Sequence, residues 1–189
     1  MELKRVVVTG LGAVTPVGNN PEETWANLLA GKSGAAPITL FNTEMFKTKF
    51  ACEVKDLNVT DYIDRKEMRK MDRYCQLAMI SAMQGIKDAN INVETEDLDR
   101  VGVIFGVGIG GIKTFQDEVT YYGQHEDQGP KFNPFFIPKM IADIAAGQIS
   151  IQYGFHGPNY TTTSACASSS NALADAFNLI RLGKANIIV

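Results

Sequence analysis

The sequence is poor in cysteine and histidine, and it has no long hydrophobic run. Its three cysteines are Cys52, Cys75 and Cys166, an odd number without CxxC spacing, and only two histidines accompany them. This pattern excludes a disulfide framework or a zinc site as the organising feature, so reduced thiols are expected. No apolar run approaches the roughly 18 residues that span a bilayer, and the N-terminus lacks a signal-peptide apolar segment. We expect a cytoplasmic protein without membrane insertion, metal or other cofactor.

The sequence also lacks an excess of positive charge. Its 18 lysines and arginines are set against 21 acidic residues, which gives a formal net charge of −3. Proteins that bind nucleic acid usually carry a positive field, so a nucleic-acid partner is excluded, and an acidic partner would need a local basic patch. The hydrophobic fraction of 45% is typical of a folded protein with one sizeable core.

Strand-like and helix-like segments alternate along the chain. Short apolar runs predict strands at residues 5–10, 100–106, 159–163 and 186–189. Apolar periodicity, caps and glycine stops predict helices at residues 20–31, 64–90, 111–123, 138–154 and 166–183. This alternation indicates an α/β protein in which helices cover a largely parallel sheet. The last apolar strand pattern runs to Val189 with no turn after it, so we expect further chain to follow.

Cys166 lies between a predicted strand and a predicted helix, within the small-residue run TTTSACASSS. A thiol at a helix N-terminus has a stabilised thiolate and a pKa below its usual ~8.5, which makes it a better nucleophile. The small neighbours would let a substrate carbonyl approach the sulfur, and local amides would stabilise an oxyanion. The local pattern fits a nucleophilic cysteine and a buried packing cysteine equally well.

Two further motifs each allow more than one interpretation. Lys66, Arg69 and Lys70 share one side of the predicted helix, either as a solvated face or as a patch that steers an acidic partner. The glycines Gly106, Gly108 and Gly111 satisfy GxGxxG between a strand and a helix, which suggests a nucleotide-binding domain. The expected second strand ending in an acid about 20 residues on is missing, which weakens that alternative.

Several motifs together carry a family resemblance. The segments KRVVVTGLGAVTPVGN, DRKEMRKMD, GVGIGG, NPFFIP, YGFHGPN and TTSACASSSNAL follow one another along essentially the whole chain. Their order and spacing resemble the elongating β-ketoacyl-acyl-carrier-protein synthases, most of all the type II enzyme of fatty-acid synthesis. The resemblance implies a thiolase-like fold, in which residues 1–189 form the N-terminal βαβαβαββ half of a layered α/β/α/β/α architecture and the chain ends before the C-terminal half. It also implies a homodimer.

The resemblance also implies roles for individual residues. Cys166 would take an acyl group from acyl carrier protein, and its backbone N–H would form part of the oxyanion hole. Malonyl-carrier protein would then lose carbon dioxide, and the carbanion would attack the acyl-cysteine. The basic cluster, which is Lys66, Arg69 and Lys70, would contact the carrier protein. The acyl pocket would include Ile109, which restricts chain length, together with Phe135 and Phe136 from a segment that packs at the dimer interface.

Other functions remain open on the sequence. A type I synthase and a polyketide ketosynthase share the same motifs, and a thioester hydrolase could pair Cys166 with His156. The family's two decarboxylation histidines, its lysine and its second oxyanion amide are expected in the second half. We therefore interpret His125 and His156 as ordinary loop histidines. A non-catalytic scaffold related to these synthases would lack the cysteine, which disfavours that alternative.

Overall fold

A three-stranded parallel sheet organises the structure, a computed structural model that describes residues 3–189. Its strand order is β4–β3–β5, and a separate antiparallel hairpin pairs β1 with β2. The strands are β1 (Ala36–Pro37), β2 (Phe50–Ala51), β3 (Val101–Gly106), β4 (Asn159–Thr162) and β5 (Ile187–Ile188). The α-helices are α1 (Pro21–Leu29), α2 (Arg65–Met68), α3 (Arg73–Asp88), α4 (Ile112–Gln124), α5 (Phe136–Met140), α6 (Ile144–Tyr153) and α7 (Ser168–Arg181). Short 3-10 turns lie at Val59–Asp61, Leu98–Arg100, Glu126–Gln128 and Ala165–Ala167.

The central strand β3 is largely buried and has helices packed on both of its faces. Successive side chains of a strand point to opposite faces, so its residues divide between two layers. Val101 and Val103 are almost fully buried in one core with α3 and α6, whereas Ile104 points to the other face, where α7 packs on the strand. The predicted α/β arrangement, with helices on both faces of a parallel sheet, is therefore observed.

The main core forms because α3 and α6 present apolar side chains at helical spacing. On α3 the buried stripe includes Cys75, Met79, Ala82 and Ile86, which recur every three or four residues. Ala145, Ala146 and Ile149 of α6 are fully buried against it. Small alanines on α6 allow the two helices to pack closely, so this pair and β3 hold the frame on which the loops are built.

The predicted helix at residues 20–31 is confirmed as α1. Asn20 caps it, because its side-chain oxygen accepts a hydrogen bond from the Glu23 N–H at 2.8 Å, and Pro21 occupies the first helical position. The chain leaves the helix through Gly31, whose φ of +65° is readily adopted only by glycine. No helix among residues 3–189 is long and apolar enough to cross a membrane.

The strand predicted at residues 5–10 is wrong. Within residues 3–189 this segment joins no sheet, and the side chains of Val7 and Val8 are largely exposed. The backbone just beyond it packs on α3 instead. The Leu11 N–H donates to Asp88 Oδ2 at 2.9 Å, and the Ala13 N–H donates to Gln84 Oε1 at 3.0 Å. An apolar run becomes a strand only where another strand takes its backbone hydrogen bonds, and here none does.

Two long predicted helices are each divided in two. The helix predicted at residues 64–90 is interrupted by Asp72, which caps α3 by accepting the Tyr74 N–H and so starts a new helix. The helix predicted at residues 138–154 breaks at Ile141, whose backbone is extended. The carbonyls of Met140 and Ile141 accept hydrogen bonds from Gly111 and Tyr74, so these distant donors replace the helical ones.

Candidate active site

Cys166 lies in the 3-10 turn that joins the end of β4 to the start of α7. The predicted strand-to-helix junction is therefore present, and the exposed side chain shows that Cys166 is not a packing residue of the core formed by residues 3–189. The residue before it, Ala165, has φ of +50°, a left-handed backbone conformation that costs a non-glycine residue of order 1–3 kcal/mol. Such a conformation persists only where the surrounding structure enforces it.

Ser168 provides that enforcement from the first position of α7. Its hydroxyl is buried, donates to the Ala165 carbonyl at 2.7 Å and accepts from the Ser164 N–H at 2.9 Å. The Asn171 side chain also donates to Ser164 Oγ at 2.6 Å. The hydroxyl of Ser168, two residues after the cysteine, therefore bonds to the two residues before it, and the thiol is presented outward.

The turn is also joined to the end of the central strand. A Cβ atom at Gly106, the last residue of β3, would lie 2.4 Å from the Ser169 backbone nitrogen. Only glycine fits this contact, because real Cβ atoms do not approach so closely. The next residue, Val107, donates its N–H to the Thr162 carbonyl at 3.1 Å, so the loops that follow β3 and β4 begin side by side. These are the loops that carry Ile109 and Cys166.

The other two cysteines have different surroundings. Cys75 is fully buried in α3, and burial, followed by the nearby Asp72 carboxylate, raises its pKa to about 12. Its thiol is therefore neutral and inaccessible near neutral pH. Cys52 is exposed just after β2, outside any strand-to-helix junction. Cys166 alone combines exposure with the turn at the carboxyl edge of the parallel sheet.

The basic cluster lies on α2 and the turn that follows it. Lys66 belongs to α2, Arg69 ends it, and Lys70 forms an ion pair with Glu67, with 2.6 Å between Nζ and Oε1. Lys66 and Arg69 are exposed and form no ion pair among residues 3–189. The three cations therefore do not share one long helix as predicted, and two of them carry the charge available to a partner.

The predicted pocket residues lie on two neighbouring segments. Ile109 is 72% exposed in the loop between β3 and α4, and the Gly111 N–H that ends this loop donates to the Met140 carbonyl of α5 at 2.9 Å. Phe135 is exposed, whereas Phe136 is partly buried and stacks on Phe132, with 5.6 Å between ring centroids. The structure brings the two segments together and leaves Ile109 and Phe135 as open apolar surface.

The nucleotide-binding alternative is not supported by the geometry. A dinucleotide site needs free amides at the start of the helix after the glycine loop, where a phosphate would bind. Here the Asp72 carboxylate already accepts the Thr114 N–H at the start of α4, and its negative charge would repel phosphate. A Cβ at Gly111 would be 2.3 Å from the Lys139 carbonyl, so this end of the loop packs against chain rather than opening to a ligand.

The structure does not place His156 where it could act as the base that the hydrolase alternative requires. His156 lies in the turn before β4, and Cys166 lies beyond the end of that strand. A four-residue strand spans about 13 Å, which is far outside hydrogen-bonding reach. The His156 Nδ1 instead lies 3.2 Å from Asp99 Oδ1, in an exposed pair. His125 ends α4 and its Nδ1 contacts the Tyr121 carbonyl, so both histidines have local roles.

Sequence reasoning missed the structural roles of four residues that shape this region. Ser168 and Ala165 define the cysteine turn, and Asp72 and Thr114 join α3 to α4. Asp72 carried a recognisable signal, because aspartate directly before a helical segment is a favoured N-cap. The role of Thr114 depends on a contact with a residue 42 positions away, which the local sequence does not encode, whereas the bonds between Ser168 and Ala165 are local to the turn.

Comparisons with known proteins agree with this architecture. The family model described as Beta-ketoacyl synthase, N-terminal domain, matches residues 3–189. The chain is 44% identical over 190 residues to the 3-oxoacyl-[acyl-carrier-protein] synthase 2 of Synechocystis sp., an alignment that covers 100% of this chain and 45% of that protein. The chain thus spans about half the length of the curated relatives it matches.

Solved structures show the same fold. The ishigamide ketosynthase/chain length factor superposes with a TM-score of 0.83 at 27% identity, covering 97% of this chain and 45% of that one. A type II PKS acyl-carrier protein in complex with its ketosynthase gives a TM-score of 0.78 at 24% identity, covering 96% and 48%. The predicted thiolase-like α/β fold class is confirmed by these neighbours. The cysteine turn and the parallel sheet thus belong to a chain that is a member of the β-ketoacyl synthase family, matching its N-terminal domain.

Proposed function

We propose that this chain is the N-terminal half of a β-ketoacyl-acyl-carrier-protein synthase of the type II, fatty-acid-elongating kind. The name of the 44% identical relative supports this function, as does the exposed cysteine in its Ser168-held turn. Because the chain spans about half of that relative, the complete activity depends on residues outside residues 1–189.

Cys166 supplies the nucleophile in the proposed first step. Its thiolate attacks the thioester carbonyl of acyl-carrier protein, and a new carbon–sulfur bond forms as a tetrahedral oxyanion develops. Backbone amides of the turn, including the Cys166 N–H, stabilise that oxyanion. The bond to the carrier's thiol then breaks, the carrier thiolate leaves and takes up a proton, and the acyl group stays on Cys166.

Carbon–carbon bond formation follows in the proposed second step. Malonyl-carrier protein loses carbon dioxide, and the electron pair released forms a carbanion that attacks the acyl-cysteine carbonyl. The Cys166 thiolate leaves, which regenerates the nucleophile and releases β-ketoacyl-carrier protein. The family resemblance assigns the two histidines that assist decarboxylation to the second half of the protein, together with a lysine and the other oxyanion amide.

The remaining site residues complete the proposal. Lys66, Arg69 and Lys70 bind the acidic carrier protein, and Lys66 and Arg69 support this role because they are exposed cations without an ion-pair partner among residues 3–189. Ile109 limits the acyl chain. Phe135 and Phe136 belong to the acyl pocket at a homodimer interface. The exposed apolar surface of Ile109 and Phe135 suits contact with an acyl chain and packing against a second subunit.

The observation that carries the proposal is the exposed thiol of Cys166 in a turn held by Ser168. In the full-length protein, Cys166→Ala should abolish acyl transfer from acyl-carrier protein, because no other thiol occupies this turn. Intact and peptide mass spectrometry measure the acyl adduct. The matched variants Cys52→Ala and Cys75→Ala should still form the acyl adduct. An adduct mapped to Cys75 would refute the assignment of Cys166 as the nucleophile.

A polyketide ketosynthase is the second candidate, and the likeness to the ishigamide ketosynthase favours it. Both candidates use the same cysteine, so Cys166→Ala does not separate them. Their products separate the two candidates. A type II fatty-acid synthase adds one two-carbon unit to a saturated acyl chain, whereas a polyketide ketosynthase extends a chain that still carries the β-keto groups of earlier rounds. Mass analysis of carrier-bound products from a saturated acyl starter decides between them.

A further inference from the structure

A buried carboxylate joins three segments of the chain close to the proposed site. Asp72 is only 8% exposed. Its Oδ1 accepts the Tyr74 N–H of α3 at 3.2 Å, whereas its Oδ2 accepts both the hydroxyl and the N–H of Thr114 in α4, at 2.5 and 3.2 Å. One carboxylate therefore caps the first turns of two helices that lie about 40 residues apart in the sequence.

Contacts around this carboxylate bring in the third segment. The Tyr74 hydroxyl donates to the carbonyl of Ile141, in the connection between α5 and α6. The Gly111 N–H donates to the Met140 carbonyl at 2.9 Å, and a Cβ at Gly111 would lie 3.1 Å from Asp72 Oδ2. We call Asp72, Tyr74 and Thr114, with the Met140 and Ile141 carbonyls, the polar junction.

The polar junction lies between residues that the proposed function uses separately. Arg69 and Lys70 of the basic cluster end two residues before Asp72, and the loop that carries Ile109 ends at α4 three residues before Thr114. Phe136 begins α5, whose last carbonyl belongs to the polar junction. A carboxylate that capped α3 alone would need only its bond to Tyr74. The further bonds between Asp72 and Thr114 constrain the start of α4 and therefore the loop that precedes this helix.

We infer that Asp72 is a positioning residue that fixes the Ile109 loop relative to the basic cluster, and thereby sets which acyl chains the enzyme accepts. This inference rests on the proposed function for its effect on substrates. The physical basis is the pairing of an acceptor-only carboxylate with two donors of Thr114. In Asp72→Asn, an amide that keeps its oxygen toward Tyr74 points an NH₂ at the Thr114 donors. The two helix starts would then separate.

Two readouts on the full-length protein test the inference, with Asp72→Asn and Thr114→Val as the disrupting variants. Hydrogen exchange of the peptide covering residues 106–115 should become about tenfold faster in both, because a charged hydrogen bond that restrains the loop is lost. The distribution of accepted acyl chain lengths should also shift, as it should in Ile109→Phe, which changes the pocket directly. Thr114→Ser keeps both donors and should preserve exchange and distribution. Thr120→Val makes the same chemical change at an exposed position of α4 and should have no effect.

Several outcomes overturn the inference. Unchanged exchange at residues 106–115 in Asp72→Asn shows that the loop does not depend on the carboxylate. A uniform fall in turnover at all chain lengths, with an unaltered distribution, shows that Asp72 has only a structural role. Equal effects of Thr114→Ser and Thr114→Val show that the hydroxyl is irrelevant. If the wild-type protein forms no β-ketoacyl product, the proposed function fails, and the exchange measurement still decides whether Asp72 holds the loop.

Discussion

Cys75 and Cys166 show how position decides the chemistry of one residue type. Cys166 is exposed in a turn whose backbone is held by the Ser168 hydroxyl, whereas Cys75 faces the core from α3. Burial raises the pKa of Cys75 to about 12, so its thiol does not ionise near neutral pH. The difference between the two thiols therefore comes from solvent access, because their covalent structures are identical.

The raised pKa of Cys75 predicts a loss of stability in alkali. In the unfolded chain this thiol ionises near pH 9, whereas in the folded protein it stays protonated up to about pH 12. The stabilisation is therefore complete below about pH 9 and is lost as the pH rises toward 12, by up to about 1.4 kcal/mol per pH unit. Burial also raises the pKa of Tyr74, which adds to the loss at higher pH.

Urea unfolding across this pH range measures the free energy of unfolding directly. Cys75→Ala removes the thiol, so its free energy of unfolding should fall less steeply than that of the wild type between about pH 9 and 10. Cys52→Ala removes an exposed thiol and should keep the wild-type slope. Equal slopes for the wild type and Cys75→Ala would show that the buried thiol is not the group that titrates.

We propose that carrier-protein binding depends on helix α2 and the turn that follows it. Lys66 and Arg69 are exposed and lack an ion-pair partner among residues 3–189, whereas Lys70 is already paired with Glu67. Reversing the charge of Lys66 or Arg69 should weaken carrier-protein binding by roughly fivefold and make it less sensitive to salt, because exposed charges act mainly through screened attraction. Lys70→Glu should also replace the ion pair with Glu67 by two negative charges that repel each other.

Calorimetric titration with carrier protein at several salt concentrations measures both effects. Lys184→Glu reverses an exposed charge near β5, outside the basic cluster, and serves as the matched control. A loss of affinity in Lys184→Glu equal to that in Lys66→Glu would indicate a general effect of net charge. Unchanged affinity in both cluster variants would remove the basic cluster from the docking site.

The segment before α1 packs on α3 through glycines, and this close approach predicts a sharp difference between two substitutions. A Cβ at Gly12 would lie 1.9 Å from the Ser81 carbonyl, whereas a Cβ at Gly123, in the last turn of α4, meets nothing within 4 Å. Gly12→Ala should destabilise the protein by about 1–3 kcal/mol because the backbone must move. Gly123→Ala should stabilise it by up to about 1 kcal/mol because alanine favours the helix.

Thermal and urea denaturation of the two variants provide the measurement. Each change adds a single methyl group, but the two sites differ in the space available and in secondary structure, since only Gly123 lies in a helix. A Gly12→Ala variant as stable as the wild type would show that this segment does not rest on α3 at the observed distance.

At the scale of the whole molecule, the main feature is the amount of exposed apolar surface. Val7, Val8 and Leu11 before α1, Ile151 of α6 and Leu173 of α7 are each more than half exposed. Monomeric proteins rarely expose extended apolar patches. Since the chain spans about half of its curated relatives, we propose that the remainder of the protein and the second subunit cover these residues.

This proposal predicts the behaviour of residues 1–189 expressed alone. The isolated chain should bind a hydrophobic dye strongly and self-associate, because its apolar side chains lack their covering partners. The full-length protein should do neither beyond forming a defined oligomer. Dye fluorescence and light scattering measure both properties. A monomeric isolated chain with no dye binding would contradict the proposed cover.

The sequence alone determined the features that depend on local chemistry. Periodicity identified β3 and α4, the Asn20 cap and Gly31 bounded α1, and the run of small residues placed Cys166 between a strand and a helix. These signals work because caps, turns and apolar spacing act over a few neighbouring residues. The motif order was also enough to identify the family, which the match over residues 3–189 confirms.

Only the tertiary structure decided the features that depend on distant partners. The apolar run at residues 5–10 found no strand to pair with, and the helix predicted at residues 138–154 broke at Ile141, whose carbonyl accepts a hydrogen bond from the distant Tyr74 hydroxyl. The bond between Asp72 and Thr114 joins the starts of two helices that lie 42 residues apart. A buried hydrogen bond between remote segments leaves no periodic trace in the sequence, because its donor and acceptor meet only once the chain has folded.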